Sequence, residues 1–147
     1  MKQKIHAAAG VTAFLIILTF WTSTVLSEAL GTPETIALVK SRILMGMFVL
    51  IPAMAIAGGS GMAIGRRRKD APAVAKKKRM PLIAANGLMV LLPAAFFLEA
   101  RASDGNFDGV FIIVQGIELL AGVLNLTMMG LNIRDGSRMA ARRKSQA

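Results

Sequence analysis

The sequence contains no cysteine. Disulfides, thiolate metal sites, iron–sulfur ligation and covalently attached c-type haem are thereby excluded. Charge is scarce as well: 18% of the 147 residues are charged and 54% are hydrophobic, with a mean hydropathy of +0.57. A soluble domain carries more charge and fewer apolar residues than this. Catalytic fingerprints are also missing, with no GxSxG, HExxH, Walker A or dinucleotide-binding pattern. No pair of acids stands at catalytic spacing within one apolar run. A lipid-modifying or proteolytic enzyme is therefore not expected, and the chain reads as non-enzymatic.

The sequence does have long apolar runs, at about 5–27, 43–65, 81–98 and 107–131. Each is near the ~20 residues that span a bilayer core as a helix. No alternating segments of β-barrel type are visible. The expected fold is all-α, an integral membrane four-helix bundle with antiparallel sequential helices, over residues 1–134. Residues 135–147 read as a basic tail. The start resembles a signal peptide only in Lys2 and Lys4; its apolar stretch is too long and its cleavage site poor. Thr32-Pro33-Glu34 reads as a helix start, which can carry the second helix back to Pro33. Ser103-Asp104-Gly105-Asn106 reads as a turn, and Asp108 suits the start of the last helix. Asp135-Gly136 reads as its end.

Orientation follows from the basic residues. Of the 18 lysines and arginines, 15 fall in the N-terminus, the 66–79 loop and the C-terminus. Both termini and this loop are thus expected on the cytoplasmic side of a prokaryotic-type inner membrane. The net charge of +10 suggests nucleic acid at first sight. The basic residues flank apolar runs, however, so anionic lipid headgroups at the loop and tail are the expected partners and nucleic acid is not.

Polar residues inside apolar runs need a reason, because unpaired polar groups in hydrocarbon are costly. Glu118 lies eleven residues after Phe107, near the expected midplane. A carboxyl group there must be protonated, paired or hydrated. Gln115, Glu118, Gly122, Asn125 and Met129 share one helical stripe. Counted inward from the basic end, Thr19, Pro52 and Pro93 fall at the depth of Glu118. The prolines are expected to act as kinks that free the carbonyls of Phe48 and Met89. Glu118, Gln115, Asn125 and Thr19 thus form the candidate polar or proton site. Thr12, Ser60 and Asn86 form a second polar layer with Asn125 nearer the basic end. Glu28, Lys40, Arg42, Glu99 and Arg101 form a third at the opposite face, where Lys40 and Arg42 are expected to snorkel to headgroups. Trp21 reads as packing or an interface anchor. The ten methionines read as fillers of apolar gaps rather than a metal site.

Ala53, Ala57, Gly61 and Gly65 make a small-residue ridge suited to an internal contact or a homodimer. His6, the single histidine, precedes small residues that would admit a macrocycle. It is the one candidate axial ligand for a b-type haem, with a methionine or a second subunit as the other.

Three functional classes follow. The leading one is a membrane protein with a buried protonatable site at Glu118, without a cofactor, that binds or conducts a small solute or ion with proton linkage. A b-type haem electron-transfer subunit using His6 is the second. An accessory subunit of a larger membrane complex is the third.

Overall fold

The structure, a computed structural model, describes residues 2–65 and 71–144, with side-chain surroundings for 4–64 and 71–142. Arg66, Arg67, Arg68 and Lys69 of the basic loop and the last three residues of the tail lie outside these. The described residues are helical apart from the short connections at 31–32 and 104–108, with no strand among them. The elements are α1 (Lys2–Leu30), α2 (Pro33–Gly65), α3 (Ala71–Asn86), α4 (Leu92–Ser103) and α5 (Gly109–Lys144). A π-helical turn, Gly87–Leu91, joins α3 to α4 without a break, so the three form one continuous third span.

Among the described residues, four helices are long and apolar enough to cross a membrane. At 1.5 Å per residue, even the 29 residues of α1 reach about 43 Å. That exceeds a hydrocarbon core of roughly 30 Å. Only 11–28% of each apolar window is buried within the bundle. Phe48, Met89 and Leu120 are each more than 70% exposed. An apolar exterior on this scale calls for a non-aqueous surround.

The helix starts are built as the local residues dictate. The Thr32 hydroxyl accepts from the Thr35 amide at 3.4 Å, and the Thr32 carbonyl accepts from the Ile36 amide at 2.9 Å. Asp108 Oδ1 accepts from the Phe111 amide at 3.1 Å and caps α5. Between α4 and α5 the chain turns through Gly105 at φ +72°, a left-handed conformation that suits glycine.

Two boundaries differ from expectation. The segment containing Lys76, Lys77, Lys78 and Arg79 is helical, since α3 begins at Ala71. Asp135-Gly136 lies inside α5 instead of ending it. Asp135 takes 2.7 Å and 3.4 Å ion pairs from Arg79 and Arg134. The Arg79 pair ties the last turns of α5 to α3, and a mid-helix glycine costs only about 1 kcal/mol.

Pro52 also lies inside a continuous helix, α2. Pro93 follows directly on the π turn, where the Leu92 amide donates to the Gly87 carbonyl. A wider turn ahead of a proline removes the clash of its ring with the preceding carbonyls. Both prolines are exposed on the outside of the bundle.

The small-residue ridge is used internally. Ala53 is buried in the core with Ala13 and Ile17. Ala57 meets His6, and a Cβ at Gly61 would strike Met80 and His6. The surroundings of Gly65 lie outside the described residues.

Candidate functional site

α1 and α2 pack along their lengths, with Phe20 seated on Gly46. α2 also packs well on α4 but scarcely on α3. Where α2 and α3 part, a half-open groove of about 500 Å³ forms. Its floor is α1 and α5, and its wall is almost wholly apolar. Ile51, Met62 and Leu88 line it and are about half exposed or more, so it opens sideways to the exterior.

Lys40 meets Glu118 at one end of this groove. The Lys40 ammonium donates to Glu118 Oε2 at 2.8 Å, with side chains 1% and 13% exposed. Gln115 Nε2 donates to the same oxygen at 2.9 Å. This corrects the reading of Lys40 as a snorkelling residue. Because α2 begins at Pro33, Lys40 lies about 10 Å along its helix. Glu118 lies about 13 Å along α5 from Gly109. The two reach similar depth, and pairing inside the bundle replaces the route to headgroups. Arg42, by contrast, is exposed.

Glu28 of α1 lies within electrostatic reach of both Lys40 and Glu118. Its Oε1 is buried, as is Gln115 Oε1, and neither has a hydrogen-bond donor among the described residues. Glu99 accepts instead from Ser41 and Ser103, and Arg101 pairs with Asp108.

Asn125 does not join Glu118. Asn86 Nδ2 donates to Asn125 Oδ1 at 3.1 Å and to the Ala121 carbonyl at 2.9 Å. The polar stripe of α5 is therefore split into two clusters by Gly122. On that glycine lies Trp21, whose indole N–H donates to the Leu119 carbonyl at 3.1 Å. Trp21 is thus a packing residue that reaches across to α5, and it lines the groove with Glu118 and Asn125. Thr19 and Thr12 are exposed. The Thr19 hydroxyl bonds its own helix, at the Leu15 carbonyl.

At the basic end His6 uses both ring nitrogens. Nδ1 donates to the Ala57 carbonyl at 3.0 Å, beside the Ser60 hydroxyl at 3.1 Å. Nε2 accepts from the Lys76 ammonium at 2.8 Å. A carbonyl only accepts and an ammonium only donates, which fixes a neutral Nδ1–H tautomer. Axial ligation of haem by His6 Nε2 would require Lys76 to withdraw.

Glu28 and Lys40 were visible to sequence reasoning as charges at one face, but their link to Glu118 was missed. The signal available was the helix start at Thr32-Pro33, which already sets Lys40 two turns deep. The Arg79–Asp135 pair has no local signal, because it depends on helix continuing through both the basic segment and Asp135-Gly136.

Comparison with protein-family models, with curated proteins and with solved structures gives no match.

Proposed function

We propose that this chain is a non-enzymatic, multi-pass protein of the inner membrane, a bundle of antiparallel sequential helices, that conducts a small solute or ion with proton linkage at Glu118. Both termini and the basic 66–79 segment would face the cytoplasm, where anionic headgroups meet them.

The observation that carries the reading is the Lys40–Glu118 pair held inside the bundle at the edge of an open groove. Charges in such a setting are strongly coupled, because low dielectric magnifies every interaction. Protonating Glu118 would cancel its charge and leave the Lys40 ammonium with Glu28 as its remaining counter-charge. A proton arriving at Glu118 therefore changes what the neighbouring space will hold, and a charged solute changes the proton affinity in return. Gln115 holds the shared oxygen in place. Asn125 lines the same groove and, bonded to Asn86, forms a second polar step there.

The test uses purified protein in vesicles loaded with a pH-sensitive dye, driven by a potassium diffusion potential. Protein-dependent proton uptake is expected, reduced to the protein-free rate in Glu118→Gln and retained in Thr19→Ala. A parent protein no faster than empty vesicles, or a Glu118→Gln variant as fast as the parent, overturns the reading.

A further inference from the structure

The groove and the charges at its end together specify a ligand. Resting on Glu118 as the working group of the proposed site, we infer that the groove binds a lipophilic cation, an ammonium head with an apolar body, entering from the bilayer between α2 and α3. The head would sit at Glu118, which lines the groove, with Glu28 and Gln115 behind it, and the body would lie along the groove.

Three observations support this class. First, a volume of about 500 Å³ falls in the range of small-molecule sites. The nearly all-apolar wall suits a hydrocarbon body, and the exposed lip formed by Ile51, Met62 and Leu88 offers a path from lipid.

Second, the Lys40 ammonium pairs with Glu118, and a further carboxylate, Glu28, lies within electrostatic reach of both. With both acids ionised the cluster lacks one positive charge, and the bilayer provides no mobile counterion. An ammonium restores neutrality, whereas an anion would add to the imbalance.

Third, the unpartnered buried atoms beside this pair are acceptors; the other such atom among the described residues, the donor Arg101 Nε, belongs to the side chain that pairs with Asp108. Glu28 Oε1 and Gln115 Oε1 are buried without a donor, and Gln115 as a whole is only 5% exposed. Buried acceptors call for N–H or O–H groups. An alkylammonium offers three N–H donors and carries the missing charge. A neutral alcohol would satisfy an acceptor but leave the charge uncompensated. Thr24, one turn before Glu28 on α1, is buried and lines the groove, which connects the acceptors to the apolar wall.

Trp21 is the chain's single tryptophan and lines the groove, so its emission reports on the site alone. The protein in lipid nanodiscs is titrated with decylammonium, decanol and decanoate, which share one tail and differ in head group. A saturable change in emission is expected with decylammonium. Decanol and decanoate should give only the weak, non-saturating response of partition into lipid. Glu28→Gln and Glu118→Gln should each weaken decylammonium binding at least tenfold. Gly58 lines the groove, and a Cβ there meets nothing within 4 Å. Gly58→Leu should therefore fill the groove and abolish the saturable change while thermal unfolding shows a folded protein.

Equal responses to all three compounds, preference for decanol or decanoate, or Glu28→Gln binding as tightly as the parent would overturn the inference. Glu118-dependent proton uptake without decylammonium binding would remove the ligand class and leave the proton site standing. Decylammonium binding with Glu118-independent proton uptake would do the reverse.

Discussion

Lys40 and Glu118 are 78 residues apart in sequence and 2.8 Å apart in space, and no residue of α1 intervenes between their charged atoms. Such a pair is maintained by mutual need. Removing one member of a buried pair leaves the other uncompensated, at about 3–5 kcal/mol, whereas replacing both by apolar groups is often neutral or better. Lys40→Met should therefore lower the thermal unfolding temperature in detergent sharply. Lys40→Met combined with Glu118→Leu should recover most of the loss. A single variant as stable as the parent would show that the pair is not buried as described.

Gly122 is the seat of Trp21, and a Cβ there would lie 2.8 Å from the indole Cδ1. Gly122→Val should displace the ring, break its bond to the Leu119 carbonyl and cost about 1–3 kcal/mol, as overpacking does. Trp21 emission should change with it. Gly116→Val, where a Cβ meets nothing within 4 Å, should leave that emission unaltered.

Gly136 lies within α5, and its added Cβ would make only an ordinary 3.8 Å contact with Lys76 Nζ. Gly136→Ala should accordingly stabilise the protein by up to about 1 kcal/mol through helix propensity. If Asp135-Gly136 ended the helix in a left-handed turn, the same substitution would destabilise it. Thermal unfolding distinguishes the two signs.

Asp108 lies in the turn before α5. The hydrogen bond from Arg101 and then that from the Phe111 amide hold its carboxyl below the usual carboxylate range. A depressed folded-state value means a contribution present at neutral pH and lost as pH falls through that value. Unfolding temperature should thus drop on acidification, more steeply in the parent than in Asp108→Asn. Because Asp108 is exposed, the difference should shrink in high salt. Identical pH profiles for parent and variant would contradict this.

The four helices could be read from the apolar runs, since a run long enough to cross a bilayer is a local property. Helix starts at Thr32 and Asp108 were equally legible, because a cap is written in three or four adjacent residues. The last helix boundary was not: Asp135-Gly136 carries an end signal, and it is overridden by Arg79, a residue from another helix. Lys40 shows the same limit. Near a helix start, snorkelling is the local expectation, and only the placement of Glu118 across the bundle reverses it. Asn125 shares a stripe with Glu118 but bonds Asn86, because Trp21 occupies the space between. The groove had no signature in any single run, since it arises from the angle at which α2 and α3 part. Thr19, Pro52 and Pro93 share a depth with Glu118 only as a count along the chain; direction depends on how each helix is rotated, and all three are exposed.

The central claim is that Glu118 is a protonatable group enclosed in the bundle. Infrared difference spectroscopy of the protein in lipid, titrated with acid, reads it most directly. The parent should show a carboxylic acid carbonyl band that appears with falling pH and is missing in Glu118→Gln. The same band persisting in full in that variant would contradict the account.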